Sequence, residues 1–368
     1  MTFYDELKKY DFKAIGEIVR NKTDEDVLSA LRNPHPTVDD FAALISPAGR
    51  NHLDEMATLC QQLSLERFGR VVQLYIPLYL SSYCTNSCVY CGFSLLNKII
   101  RKKLTMEEID EEVEAIKKLG YQHLLLVAGE SPRHADADYY AEVVRKLRPQ
   151  FAQLSIEVQP LSVEDYKKVV DAGVSSLSVY QETYNEANYK LYHPRGLKSN
   201  FQFRLETAER AAEAGMKKIG IGALLGLDDW YADAYCTALH LKYLEKHYWE
   251  TRYSISLPRL RPEVGGFEPK EPVDDKSMVQ LICAFRILSQ TVDITLSTRE
   301  SSAFRDMAIR LGINSVSAGS STQPGGYAHP RKELEQFEIN DSRTPEEMIA
   351  AIKAQGYEPV WKDWGQWL

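Results

Sequence analysis

The sequence predicts an α/β protein with a (β/α)8 TIM-type barrel, and three observations indicate this fold class. From about residue 71, eight short runs rich in β-forming residues alternate with helical patterns. The alternating region, residues 71–320, has 250 residues, which is about the typical length of such a barrel. The composition, 44% hydrophobic and 26% charged, can supply a core of that size.

The strand candidates are 71–80, 123–129, 154–160, 176–182, 218–226, 253–260, 293–298 and 314–320. The helices between them have recognisable ends. Thr105 with Glu108 three residues later is typical of a capping box, and Gly120 occupies a position that suits a left-handed helix end. Further helices are predicted near 200–214, 231–248, 274–290, 302–311 and 345–354.

The segments outside the barrel are predicted to be extensions of it. Residues 1–70 contain several short helical patterns and form an N-terminal helical extension on the floor or flank of the barrel. Residues 321–368 form a short C-terminal extension packed on the barrel. An alternative architecture is a six-strand open barrel with the last two units packed separately.

Charge and terminal sequence narrow the class of protein. The formal net charge of −8 argues against nucleic acid as the main partner, because phosphate binding requires a basic surface. The first residues are charged throughout, and no stretch approaches the length of a membrane span, so we expect a cytoplasmic protein. Cys60, Cys236 and Cys283 stand alone, as buried reduced thiols do.

Three cysteines crowd into eight residues, at Cys84, Cys88 and Cys91. Thiolates favour zinc or iron–sulfur clusters over hard cations. A structural zinc ion requires a fourth ligand, and His123 lies a whole helix away. A [4Fe–4S] cluster can instead be held by three cysteines, leaving one iron open. A barrel scaffold with a zinc-stabilised loop remains the alternative.

Polar residues follow seven of the eight predicted strands. Because the C-terminal ends of barrel strands meet on one face, where barrel enzymes place their active sites, we expect these side chains to converge. The set comprises Cys84, Cys88 and Cys91, then Gly129 and Glu130, Glu157 and Gln159, Gln181 and Glu182, Arg259 and Arg261, residues 297–300, and Ser317 and Ser320.

The spacing Cys-x3-Cys-x2-Cys, with an aromatic residue before the last cysteine, resembles the radical S-adenosylmethionine (SAM) superfamily. Gly129-Glu130 at the end of strand two resembles the superfamily's SAM-amine contact. Longer stretches resemble the tyrosine lyase (2-iminoacetate synthase) family of thiamine biosynthesis: IPLYLSSYC, HLLLVAGE, EVQPL, SISLPRLRP, LSTRES and SAGSSTQPGGY. A related tryptophan lyase remains an alternative. A hydrogenase maturase with a similar barrel carries an additional C-terminal cysteine cluster. No cysteine follows Cys283 here, which argues against that maturase.

The resemblance implies a reaction. The reduced cluster gives one electron to SAM, which yields methionine and a 5′-deoxyadenosyl radical. The radical takes a hydrogen from the amino group of L-tyrosine, and the Cα–Cβ bond breaks. The products are 2-iminoacetate (dehydroglycine) and, after reduction of the other fragment by one electron and one proton, 4-cresol.

The resemblance also implies roles for individual residues. Cys84, Cys88 and Cys91 would ligate the cluster. Glu130 would accept the SAM ammonium and Arg204 would pair with its carboxylate. Gly129 would belong with Glu130 to the contact with the SAM amine, and Gln159 and Glu182 would bind the ribose hydroxyls. Tyr90 would pack beside the cluster and reach the adenine, and Gly220 and Gly222 would let the adenine approach the backbone.

The tyrosine carboxylate needs a bidentate cation, for which Arg299 is the candidate. Ser317 or Ser320 would assist Arg299, and Tyr79 would face the substrate. Arg259 and Arg261 are alternatives that could simply pair with Glu263 or Glu300.

Two protein partners are expected. The basic run 97–103 follows the cysteine loop and could dock an acidic flavodoxin or ferredoxin as electron donor. Trp361, Trp364 and Trp367 could pack on the barrel or contact thiazole synthase, the expected recipient of the product.

Overall fold

The structure, a computed structural model, describes residues 2–262, 266–269, 271–331 and 334–362. Eight parallel strands close into a barrel, because β1 pairs with both β2 and β8 and every other strand pairs with its neighbours in chain order. The barrel strands are β1 (Val71–Ser81), β2 (His123–Ala128), β3 (Gln153–Glu157), β4 (Ser176–Ser178), β5 (Lys218–Ile221), β6 (Arg252–Ser256), β7 (Asp293–Leu296) and β8 (Ser315–Ser317). The predicted (β/α)8 fold class is therefore confirmed, and the open six-strand alternative is wrong.

Helices surround the barrel and flank it at both ends of the chain. They are α1 (Phe3–Leu7), α2 (Phe12–Arg20), α3 (Asp24–Arg32), α4 (Val38–Ile45), α5 (Leu53–Phe68), α6 (Met106–Lys118), α7 (Ala137–Leu147), α8 (Val163–Ala172), α9 (Glu186–Tyr192), α10 (Phe201–Leu205), α11 (Thr207–Glu213), α12 (Trp230–His247), α13 (Asp275–Leu288), α14 (Ser302–Ile309) and α15 (Pro345–Ala354). None of the helices in the described residues has the length and apolar character needed to cross a membrane.

Local chemistry sets the helix ends as predicted. The Thr105 backbone N–H donates to Glu108 at 2.9 Å, and the Glu108 N–H donates back to the Thr105 hydroxyl at 3.3 Å. This capping box begins α6. Just beyond the helix, Gly120 has a φ of 83°, a conformation that favours glycine.

The N-terminal helices pack on the flank of the barrel. Helices α4 and α5 contact α13, and α2 contacts α12. An ion pair from Arg20 to Asp229, 2.6 Å long, joins α2 to the residue that caps α12. The first 70 residues therefore cover two neighbouring barrel helices.

The C-terminal part adds a strand that the sequence patterns did not predict. After α15, β9 (Glu358–Val360) pairs in parallel with the first residues of β1. Trp361 follows and packs edge-on against the ring of Tyr121, with the ring centres 5.2 Å apart. Trp364 and Trp367 lie outside the described residues.

Candidate active site

A cavity opens at the C-terminal ends of the barrel strands. Its wall combines strand ends, the cysteine loop and residues of the C-terminal part such as Gln336 and Phe337. Of the predicted site residues, those that line it are Tyr79, Cys84, Cys88, Tyr90, Cys91, Gly129, Glu130, Glu182, Arg204, Arg299, Ser317 and Ser320. Most of the strand-end residues expected to converge therefore line this cavity, whereas Gln159, Gln181 and Arg259 are not among its lining residues.

The cysteine loop is held by backbone hydrogen bonds to neighbouring barrel loops. Thr85 N–H donates to the carbonyl of Glu130 at 2.9 Å, and Val89 N–H donates to that of Tyr192 at 3.1 Å. A Cβ on Gly129 would lie 2.5 Å from the carbonyl oxygen of Tyr83, so only glycine permits this approach. Glycine at position 129 therefore lets the cysteine loop pass close to the end of β2.

The three cysteines are free thiols on the cavity wall. Burial, followed by the negative charge of Glu130, raises the pKa of Cys84 to about 11, and burial raises the pKa of Cys88 and Cys91 as well. Thiolates at these positions therefore require a cationic partner. Within the described ranges, no group of three His, Cys, Asp or Glu side chains is arranged to hold a metal ion. Ligation by three cysteines stays a prediction.

A buried ion network lies beside the cysteine loop. Glu130 pairs with Arg204 at 2.7 Å and accepts a hydrogen bond from the amide of Asn86, also at 2.7 Å. Lys198 pairs with Glu182 at 2.5 Å, and Arg204 lies 3.5 Å from the same carboxylate. Two cations and two anions thus share one buried surface.

The network favours the charged forms of Glu130 and Lys198. Burial alone would raise the pKa of Glu130, but Arg204, Lys198 and Asn86 outweigh it and the pKa lies below its ordinary value. Burial alone would likewise lower the pKa of Lys198, yet Glu182 leaves that pKa raised. Glu182 has a φ of 73°, and no other non-glycine residue of the described chain has a positive φ. Such a conformation persists only where its surroundings enforce it.

Across the cavity lie the residues predicted for the amino acid. The guanidinium carbon of Arg299 lies 3.6 Å from the ring centre of Phe337. The Tyr79 hydroxyl donates to the side-chain oxygen of Gln336 at 2.8 Å. Ser317 and Ser320 also face the cavity, and the buried Ser320 hydroxyl has no hydrogen-bond partner among the described residues.

The carboxyl group of Glu157, at the end of β3, has a raised pKa. Burial raises the pKa of Glu157 to about 7, while Arg299 pulls it down and Glu182 pushes it up. Its side chain lines the same cavity as Arg299. A carboxyl with this pKa can hold or release a proton near neutral pH.

Three predicted SAM contacts lie elsewhere. Gln159 is not on the described cavity wall, because its side chain accepts from the Tyr140 hydroxyl and donates to the Ala135 carbonyl, both at 2.8 Å. A Cβ on Gly222 would lie 2.3 Å from the Ser256 carbonyl oxygen, and one on Gly220 would lie 2.8 Å from the Ser254 hydroxyl. These two glycines allow close packing against β6 and are not among the residues that line the described cavity, so their contact with the adenine stays a prediction.

Two other predicted residues have fixed protein partners. Tyr90 lines the cavity, and its hydroxyl lies 2.7 Å from the ring nitrogen of buried His193. Arg259 pairs with Glu300 through a 2.9 Å hydrogen bond and also contacts Asp275. Glu263, the other partner considered for Arg259, lies outside the described residues.

Sequence reasoning missed Lys198 and Gln336 and gave Glu157 no role of its own. Lys198, in a short 3-10 helix over Leu197–Ser199, and Gln336, in a loop, carry no recognisable sequence pattern, and only the folded chain brings them to the cavity. Glu157 carried a signal, since it is a charged residue among the polar residues near the end of the predicted strand 154–160.

Comparison with known proteins identifies the family. Residues 78–237 match the model of the radical SAM superfamily, and residues 256–358 match the biotin and thiamin synthesis associated domain. The chain is 49% identical to 2-iminoacetate synthase of Salmonella typhimurium and 48% identical to that of Escherichia coli, in both cases over 100% of this chain and 98% of the relative.

Solved structures agree with this assignment. HydG, a maturase of the [FeFe]-hydrogenase, superposes with a TM-score of 0.90 and 32% identity, covering 95% of this chain and 79% of HydG. HydG from Carboxydothermus hydrogenoformans gives a TM-score of 0.85 at 29% identity, covering 98% of this chain and 83% of that one. The chain belongs to the 2-iminoacetate synthase family of radical SAM enzymes.

Proposed function

We propose that this chain cleaves the Cα–Cβ bond of L-tyrosine to give 2-iminoacetate and 4-cresol, with SAM consumed as the radical source, in thiamine biosynthesis. One observation carries the proposal: the cysteine loop and the buried ion network share a single cavity with Arg299 and Tyr79. Cofactor and amino acid can therefore meet in one enclosed space. The 48–49% identity to two 2-iminoacetate synthases over the full chain supports it.

The residues of the cysteine loop fit a three-ligand cluster in their chemistry. Cys84, Cys88 and Cys91 are soft donors that face one cavity from one loop. When bound there, a [4Fe–4S] cluster together with SAM would supply the radical that takes a hydrogen from the substrate. The barrel supplies position and excludes water.

The ion network is suited to the amino acid end of SAM. Glu130 can accept the ammonium group, and Arg204 or Lys198 can bind the carboxylate. Both functions need charged side chains, and the network holds Glu130 and Lys198 in their charged forms. Glu182, held at 2.5 Å by Lys198, is the remaining candidate for the ribose hydroxyls.

The opposite wall is suited to tyrosine. Arg299 can bind the substrate carboxylate through two parallel hydrogen bonds, with its guanidinium plane held against Phe337. Ser317 and the unpartnered hydroxyl of Ser320 can complete the contacts of that carboxylate. Glu157 can hold or accept a proton close to Arg299 during bond cleavage.

The choice between tyrosine and tryptophan is made by product analysis. The reduced enzyme is incubated with SAM and either amino acid, and the aromatic product is identified. We expect 4-cresol from tyrosine and no indole-derived product from tryptophan. An indole product in place of 4-cresol would show that the tryptophan lyase alternative is right.

Metal content separates the enzyme from a zinc-stabilised scaffold. We expect anaerobically purified protein to be brown, with about four iron and four sulfide per chain. A Cys91→Ser variant should lose most of the iron, whereas Cys236→Ser, at a buried cysteine of α12, should keep it. Colourless protein with one zinc per chain would contradict the proposal.

The electron donor is expected to dock beside the cysteine loop. Leu95, Leu96 and Ile100 are exposed there, and Lys98 adds positive charge. Lys102 is less available than the sequence suggested, because it pairs with Glu108 at 2.9 Å. We infer that an acidic one-electron carrier of the flavodoxin or ferredoxin type binds this surface. Lys98→Glu should slow reduction by that carrier and leave reduction by dithionite unchanged.

A thiazole synthase would receive 2-iminoacetate, which is a reactive imine in water. We propose this recipient on chemical grounds and on the family membership of the chain. Retention of thiazole synthase on the immobilised enzyme, with loss of binding after removal of residues 363–368, would support a contact through the C-terminal tryptophans. Retention unchanged by that truncation would place the contact elsewhere.

A further inference from the structure

A segment of the C-terminal part crosses the mouth of the barrel. We name residues 334–341 the mouth segment. Its Gln336 N–H donates to the carbonyl of Thr322 at 3.0 Å, and its Asn340 N–H donates to that of Thr298 at 2.8 Å. The mouth segment is therefore tied both to the loop after β8 and to the end of β7.

Gln336 is the residue of the mouth segment that reaches the cysteine loop. Its side-chain oxygen accepts from the Tyr79 hydroxyl at 2.8 Å, and its side-chain nitrogen lies 3.6 Å from the sulfur of Cys91 and donates to it. A Cβ on Gly92 would lie 2.1 Å from the Gln336 carbonyl oxygen, so glycine beside Cys91 is required for this approach. The side-chain amide of Gln336 thus contacts both Cys91, a predicted cluster ligand, and Tyr79, a predicted substrate contact.

The chemistry of the sulfur fixes the orientation of the amide. A cluster-bound thiolate carries no proton, so the group facing Cys91 must be the N–H end of Gln336. The oxygen end then faces Tyr79, whose hydroxyl must donate. The phenol oxygen of Tyr79 consequently keeps its lone pairs for an N–H donor, such as the amino group of the substrate.

We propose that Gln336 couples occupancy of the substrate pocket at Tyr79 to the reducibility of the cluster at Cys91. Hydrogen bonds to cluster sulfur are among the factors that set reduction potentials, because they stabilise the more negative reduced state. A substrate that engages Tyr79 changes the hydrogen bond at the far end of the same amide. The coupling is reciprocal, so the oxidation state of the cluster also changes the affinity for tyrosine. This inference rests on the proposed function, which provides the cluster and the substrate.

The test is a redox titration of the cluster-loaded full chain, followed by electron paramagnetic resonance, with and without tyrosine. In Gln336→Met, which keeps length but loses the amide, we expect reduction to become about tenfold harder, or about 59 mV more negative for one electron. The change in potential caused by tyrosine should also disappear. Tyr79→Phe removes the hydrogen bond at the far end of the same amide, so it should shift the potential of the tyrosine-free enzyme and lose the response to tyrosine.

Gln323→Met is the matched control. Gln323 belongs to the same C-terminal part, and its side chain accepts from the Arg331 N–H at 2.6 Å without touching a thiol. This variant should titrate as the wild type does. Should Gln336→Met fail to bind four irons, Gln336→Glu tests the same hydrogen bond, because its carboxylate cannot donate to sulfur.

Two outcomes are distinguishable. A wild-type chain that holds no cluster would overturn the proposed function and this inference together. A cluster-loaded Gln336 variant with the wild-type potential and the wild-type response to tyrosine would overturn the coupling alone. Loss of the tyrosine response in Gln323→Met would also overturn it, since the effect would then not be specific to Gln336.

Discussion

Replacing Glu157 with Gln removes a buried carboxyl group whose ionisation opposes folding. Burial raises the pKa of Glu157 from its ordinary value of 4.5 to about 7. Between these values the folded state binds the proton and the unfolded state does not, so stability falls as the pH rises through this window. At about 1.4 kcal/mol per tenfold in proton affinity, the full loss is roughly 3 kcal/mol. Below about pH 4.5 and above about pH 7 the contribution is constant.

The assay compares free energies of unfolding at about pH 5 and about pH 8 for the wild type, Glu157→Gln and Glu142→Gln. Glu142 is an exposed residue of α7 and serves as the control. The decrease from the lower to the higher pH should be roughly 2 to 3 kcal/mol smaller in Glu157→Gln than in the wild type. Glu142→Gln should follow the wild type. An equal decrease in all three proteins would refute the assigned environment of Glu157.

Three further predictions follow from the buried charges. Arg299→Ala should weaken tyrosine binding by roughly 2–5 kcal/mol, seen as a raised KM, and an unchanged KM would show that another group binds the carboxylate. Lys198→Met should lower SAM affinity by at least about tenfold, or about 1.4 kcal/mol. Equilibrium dialysis of protein with unchanged iron content measures this, and wild-type affinity would show that Lys198 does not bind SAM. Arg305→Met should destabilise the fold by roughly 1–3 kcal/mol in urea unfolding, because the buried Asp341 carboxylate loses one of its two arginine partners and keeps only Arg343, and wild-type stability would contradict this.

The sequence was most informative where the determinants are local. Strand and helix periodicity and the capping box at Thr105 depend on residues close together in the chain, so the barrel could be predicted. The spacing of the three cysteines is local too. Strand β9 was not predicted, because three residues at a barrel edge become a strand only through pairing with β1.

The site was harder to predict than the fold, since long-range contacts decide what a side chain faces. Gln159 lies near the end of the same predicted strand as Glu157, yet its amide is hydrogen-bonded to Tyr140 and Ala135. Lys198 and Gln336 reach the cavity only through loop paths set by tertiary contacts. Gly220 and Gly222 have a packing reason that can be recognised only once the neighbouring β6 strand is in place.

The ratio of products in a single turnover tests the central claim most directly. The cluster-loaded, reduced enzyme is mixed with SAM and tyrosine, and 5′-deoxyadenosine and 4-cresol are quantified together. One cavity holding both cofactor and substrate predicts the two products in equal amounts, and neither in Cys91→Ser. Formation of 5′-deoxyadenosine without 4-cresol would contradict tyrosine cleavage at this site.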